Sequence, residues 1–143
     1  MAPQLIVPAL AEGPQPAVAQ HRVVIVDDAR TVRLYYRGIF ERAGIDVTEA
    51  ANGLEGIEKA AEVVPDLLIV DINMPKMDGY TMLRAIRADE RLRSIPAIMI
   101  STEAEGRDAQ RAYEAGANVY IVKPVRPDAL LAIVQLLVGQ RLS

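Results

Sequence analysis

The sequence predicts an α/β domain, a five-stranded parallel sheet with helices on both faces. From His21 onward, short runs rich in Val and Ile alternate with longer segments of helical period. Three of the runs, Val23-Val24-Ile25-Val26, Leu67-Leu68-Ile69-Val70 and Ala97-Ile98-Met99-Ile100, are apolar throughout, as strands buried on both faces should be. Glycines and prolines punctuate the boundaries where helices should stop and strands begin.

The elements follow in order. A first strand, Arg22 to Asp27, leads to a helix over Thr31 to Ala43 that closes on Gly44, a residue suited to a left-handed stop. The second strand, Ile45 to Ala50, leads to a helix over Leu54 to Val63, and Pro65 then precedes the third strand, Asp66 to Asp71. A helix over Tyr80 to Ala88 follows, and Pro96 introduces the fourth strand, Ala97 to Ser101. The fourth helix, Glu105 to Ala115, ends at Gly116, and the fifth strand covers Asn118 to Val122. The last helix runs from Pro127, which suits a first helical turn, to Val138.

A chain of 143 residues has the length of one domain, assigned to residues 21–143, and no further set of elements follows the fifth helix to serve as an output domain. Hydrophobic residues make up 51% and charged residues 24%, with no apolar run of 18 or more, so a membrane protein is excluded. The 16 Lys and Arg against 19 Asp and Glu give a formal net charge of -3, without the basic excess that direct nucleic-acid binding needs. The absence of cysteine removes disulfides, thiolate metal sites and cysteine nucleophiles. Residues 1–20 are rich in Ala, Pro and Gln, carry one charged side chain and show no period, and they read as a disordered N-terminal arm. Ala17-Val18-Ala19 imitates a signal-peptidase site, but no Lys or Arg precedes it and Pro3 and Pro8 break the apolar stretch; a cytoplasmic location is expected.

Polar residues gather at the carboxyl ends of the strands. Asp27 and Asp28 follow the first strand, Asp71 ends the third, Ser101 and Thr102 close the fourth, and Lys123 follows the fifth. In an open parallel sheet these ends line one crevice, where such folds bind their ligands. Three carboxylates brought together repel one another and call for a shared proton or a cation. With oxygen ligands, no cysteine, and the one histidine, His21, lying outside the cluster, Mg²⁺ or Mn²⁺ is favoured over zinc. An ammonium, a hydroxyl and a metal ion around a phosphoryl group in transfer stabilise its spreading charge, and Lys123 and Ser101 supply the first two. No GxxxxGK[ST] loop is present, so the phosphoryl donor is not expected to be a nucleotide bound by this chain. Asp27-Asp28 taken alone also reads as a helix cap, and Lys123 alone as a solvated lysine; the convergence of four segments outweighs both. Thr102 is the alternative to Ser101 if the strand ends one residue later.

At these residues the chain resembles the receiver domains of two-component response regulators, and specifically the single-domain, CheY-like kind. The resemblance rests on Val-Asp-Asp at 26 to 28, Asp-Ile-Asn-Met-Pro-Lys-Met-Asp-Gly at 71 to 79, Ile-Ser-Thr-Glu-Ala at 100 to 104, Ala-Gly-Ala at 115 to 117 and Val-Lys-Pro at 122 to 124, and covers about Arg22 to Gln140. It implies a flavodoxin-like (βα)5 fold of strand order 2-1-3-4-5. It also implies that Asp71 accepts the phosphoryl group from a histidine kinase or a phosphotransfer protein, with Asp28 a direct metal ligand, Asp27 beside it on metal-bound water, and Asn73 a ligand through its backbone carbonyl. Lys123 would pair with the phosphoryl group, Ser101 and Tyr120 would form the switch, and Asn73 and Glu103 would tune the rate at which water removes the phosphate. Such a domain is a signalling module that assists its own phosphorylation and dephosphorylation rather than an enzyme.

The last helix departs from expectation. Leu130, Leu131, Ile133, Val134, Leu136, Leu137 and Val138 spread over an apolar arc of roughly 220°, against the stripe of about 100° or more usual for a surface helix. Either the arm covers part of it, or it joins the fourth helix and fifth strand in a partner or homodimer surface. Two other functions compete with phosphoryl acceptance. A metal-dependent phosphohydrolase would resemble DxDx[TV] where this chain has Asp71-Ile72-Asn73, and a flavin carrier would want a hydroxyl- and glycine-rich loop where Asp27-Asp28-Ala29-Arg30 is acidic. A pseudo-receiver that acts by binding alone is the remaining alternative.

Overall fold

Alternating strand and helix segments build the expected α/β architecture. The computed structural model describes residues 21–102 and 106–142, with the side chains of all but 140–142. The arm over residues 1–20 and Glu103 lie outside the described residues. In chain order the elements are β1 (Arg22–Val26), α1 (Arg30–Arg42), β2 (Asp46–Ala50), α2 (Gly53–Val63), β3 (Leu67–Asp71), α3 (Gly79–Ala88), β4 (Ala97–Ser101), α4 (Gly106–Ala115), β5 (Val119–Val122) and α5 (Pro127–Leu142). The five strands are parallel in the order β2-β1-β3-β4-β5, as anticipated.

The alternation of side chains along each strand divides the core into two layers. Val24, Val26, Leu68, Val70, Ala97 and Met99 face α2, α3 and α4, where Ala60, Met82, Leu83, Ile86 and Ala112 meet them. Val23, Ile25, Leu67, Ile69, Ile98 and Ile100 face α1 and α5, against Tyr36, Ile39, Phe40, Leu130 and Val134. Strands β3 and β4 are buried along their whole length, which accounts for their uninterrupted apolar sequences.

Expected and observed boundaries differ by a residue at most strands, because a strand's end residues pair only with loops. The larger difference is α5, which continues to Leu142 instead of stopping at Val138. A glycine stops a helix when it turns left-handed. Gly44 and Gly116 do so, at φ 79° and 112°, whereas Gly139 does not. Helix α5 buries Leu130, Val134 and Val138 and leaves Leu136 64% exposed, so part of its apolar surface does face outward. His21, outside the acid cluster, is half-buried with Nδ1 3.8 Å from Asp66 Oδ2. No described helix is long and apolar enough to cross a membrane.

Candidate functional site

Strand register brings the acids together. Val26 of β1 is level with Val70 of β3, so the next residues, Asp27 and Asp71, sit side by side where the strand order reverses on either side of β1. On β4 and β5, Ser101 is level with Val122, which puts Lys123 one step beyond the sheet's end. Asp27, Asp71 and Lys123 continue the strand positions that face α1 and α5. Their side chains therefore meet: Lys123 Nζ is 3.5 Å from Asp71 Oδ1 and 3.6 Å from Asp27 Oδ2.

Asp28 completes the cluster. One carboxylate oxygen from each of Asp27, Asp28 and Asp71 lies within 4.8 Å of the other two. Asp27 and Asp71 are buried, while Asp28 is exposed at the rim. Burial pushes the Asp71 carboxyl up to about 6, the neighbouring Asp27 charge adds to the rise, and the Lys123 ammonium opposes it. Asp27 is raised too, by burial first, against the Ala29 N–H and Lys123. One ammonium does not balance three carboxylates, and two of those have lost much of their water. An all-oxygen cluster of this kind suits a hard divalent cation that keeps part of its hydration shell.

The loops that carry these acids are held from several sides. Asp27 Oδ1 accepts the Ala29 N–H at 2.9 Å, and Arg33 Nη1 donates to the Asp27 carbonyl at 2.7 Å. Arg33 Nε and Arg37 Nε both donate to Glu49 of β2, at 2.8 and 2.7 Å, clamping α1 to the sheet edge. The N-cap of α1 is Ala29, without a side-chain bond, so Asp27 and Asp28 do not serve as its cap. After β3 the chain doubles back so tightly that the Gly79 N–H bonds the Ile72 carbonyl at 2.8 Å, and a Cβ on Gly79 would lie 2.5 Å from the Asp71 carbonyl oxygen. Asp78 then caps α3 by accepting the Thr81 N–H at 2.8 Å. Asn73 is exposed in this loop, two residues past Asp71.

Ser101 and Tyr120 fall on the other face. Ser101 continues the positions of Ala97 and Met99, is completely buried, and shares that face with Tyr120, which packs half-buried against the same core. Thr102 is exposed and borders a groove beside Lys123. Ser101 and Tyr120 thus lie on the same face of the sheet, with Tyr120 level with Met99 and Ser101 level with Val122. Sequence reasoning had not singled out Arg33, Arg37 and Glu49. The signal available was an i, i+4 pair of arginines on α1 near an acid in an edge strand.

Comparison with known proteins agrees with this geometry. Residues 23–135 match the response regulator receiver domain family. The chain is 39% identical over 120 residues to chemotaxis protein CheY1 of Helicobacter pylori, an alignment covering 82% of this chain and 97% of that protein. It is 40% identical over 112 residues to chemotaxis protein CheY of Bacillus subtilis, covering 78% and 92% of the two chains. A match to the longer sensor histidine kinase CheAY of Helicobacter pylori, 37% identical over 115 residues, involves 79% of this chain and spans 14% of that protein. Among solved structures, chemotaxis protein CheY4 of Vibrio cholerae superposes with a TM-score of 0.79 at 32% identity, covering 82% of this chain and 98% of that one.

Proposed function

Because the chain belongs to the response regulator receiver family, a family of signalling domains in two-component regulation, we propose that Asp71 is its phospho-acceptor. The observation that carries this reading is the meeting of Asp27, Asp28 and Asp71 with Lys123 Nζ 3.5 Å from Asp71. The donor is a phosphohistidine on a sensor histidine kinase or phosphotransfer protein. An Asp71 carboxylate oxygen attacks phosphorus, the P–N bond breaks, and the imidazole nitrogen keeps the electron pair and takes a proton. Attack requires the ionised carboxylate, and a pKa of about 6 leaves most of Asp71 ionised near neutrality.

Asp28, Asp71 and the Asn73 carbonyl would hold Mg²⁺, or Mn²⁺ in its place, with Asp27 beside them on metal-bound water. When bound, the cation neutralises the acids and stabilises charge on the phosphoryl oxygens. Lys123 leaves its pairing with the acids to contact the phosphoryl group. The Ser101 hydroxyl moves toward the phosphate and Tyr120 turns inward with it, which alters the surface of α4, β5 and α5 that an output partner reads. Asn73 and Glu103 orient the water that later hydrolyses the aspartyl phosphate. The setting is cytoplasmic. Exposed Tyr113, Val122 and Leu136 give the output side an apolar character, and α5 is also the candidate homodimer surface.

Incubation with a small phosphodonor and Mg²⁺, followed by intact mass, tests the reading. One labile phosphoryl adduct is expected, and none in Asp71→Asn. Absence of an adduct under every metal condition would favour a domain that signals by binding alone.

A further inference from the structure

Tyr36 is a buried polar group that the proposed chemistry leaves unused. It is 3% exposed, with its ring in the core between the sheet, α1 and α5. Its hydroxyl makes no hydrogen bond among the described residues. The neighbouring Tyr35 provides a contrast: it packs edge-on against Tyr36 with ring centroids 5.6 Å apart, and its hydroxyl donates to the Val125 carbonyl at 3.0 Å. A buried hydroxyl without a partner is unfavourable, and such groups are usually satisfied by water or a ligand.

The surroundings indicate which oxygens it serves. Tyr36 lines a groove of about 490 Å³ together with Tyr35, Thr102, Lys123 and Val125, and Lys123 reaches from that groove to both Asp27 and Asp71. A groove of that size admits several waters. Burial first, then the negative charges of Asp27 and Asp71, push the phenol up from its ordinary value, so the hydroxyl stays protonated and acts as a donor throughout the neutral range. The negative field of Asp27 and Asp71 reaches this hydroxyl and orients its O–H dipole toward their side of the groove.

We propose that Tyr36 is a positioning residue of the acid site, its buried hydroxyl donating to water that hydrates the Asp27 carboxylate, so that Asp27 is held facing the divalent cation. The inference rests on the cation reading given above and adds a residue to it. Tyr36 acts through Asp27 and does not touch the phosphoryl group. Groups that orient a metal's ligands commonly change metal affinity by about 10-fold or more when lost.

Two measurements on the full chain test it. With tyrosine labelled at ¹³Cζ, the Tyr36 signal should shift saturably as Mg²⁺ is added, with the Kd that calorimetry gives for the same sample. Tyr36→Phe, which keeps the packed ring, should bind Mg²⁺ about 10-fold more weakly at an unchanged unfolding midpoint, while Tyr35→Phe binds it as the unsubstituted protein does. A Tyr36 signal unmoved at saturating Mg²⁺, or equal affinity in Tyr36→Phe, overturns the proposal and leaves the cation reading standing. Failure of the unsubstituted protein to bind Mg²⁺ overturns both. If Tyr36→Phe does not fold, the labelled unsubstituted protein decides alone.

Discussion

The hydroxyl of Tyr113 on α4 accepts the backbone N–H of Tyr120 on β5, at 3.3 Å. Strand β5 is a sheet edge, and the Lys123 N–H donates inward to the Ser101 carbonyl on β4. By strand alternation the N–H groups of Ile121 and Val119 also point inward, and that of Tyr120 points off the edge. Tyr113 therefore closes an edge donor belonging to the proposed switch residue. Removing the acceptor in Tyr113→Phe should speed amide exchange at Tyr120 about 5-fold, the equivalent of roughly 1 kcal/mol, and leave Ile121 unchanged. Equal protection of Tyr120 in both proteins would show that the bond does not hold the edge.

Gly79 fixes the close return of the chain onto the end of β3. An added Cβ would stand 2.5 Å from the Asp71 carbonyl oxygen and 3.0 Å from Ile72 Cα, both backbone atoms that cannot swing aside. Gly79→Ala is expected to cost about 2–4 kcal/mol by urea unfolding. It should also weaken Mg²⁺ binding, since the displaced backbone carries Asp71. A loss below the precision of the unfolding curve would mean that the loop relaxes freely.

Asp71 makes the metal-free protein sensitive to pH. Its folded value of about 6 lies above its ordinary 3.8, so the folded state holds the proton more tightly. The corresponding stability is fully present below about pH 4 and is lost as pH rises through about 6, on the order of 3 kcal/mol in all. Asp27 shifts in the same direction. Glu49 runs the other way, since burial raises it but the bonds from Arg37 and Arg33 outweigh that and hold it low. The difference in stability between the unsubstituted protein and Asp71→Asn isolates the Asp71 contribution. Without metal, Asp71→Asn should be the more stable above pH 7, and Mg²⁺ should close the gap.

Ser101 and Thr102 are separable by experiment. With fluorinated tyrosine and beryllofluoride as a phosphoryl mimic, Ser101→Ala should still take up the mimic yet leave the Tyr120 signal near its resting position. Thr102→Ala should behave as the unsubstituted protein. The reverse pattern would move the switch hydroxyl to Thr102.

Much of this was legible in the sequence because the fold writes its own punctuation. Continuous apolar runs announced β1, β3 and β4, and a parallel sheet then required Asp27, Asp71, Ser101 and Lys123 to share one end. The contacts of Tyr36, Tyr113 and the Arg33–Glu49 clamp were not legible, because each joins residues of different elements through side-chain conformations that tertiary packing selects. Val138 marked the wrong end of α5 for a related reason: Gly139 is compatible with either a stop or a continuation, and its backbone conformation decides.

The most direct test of the central claim is reductive trapping of the phosphorylated protein. Borohydride converts an acyl phosphate to an alcohol, so phosphorylation by a small donor with Mg²⁺, reduction and peptide mapping should find homoserine at position 71. Homoserine at another carboxylate, or an adduct that survives in Asp71→Asn, would contradict the account.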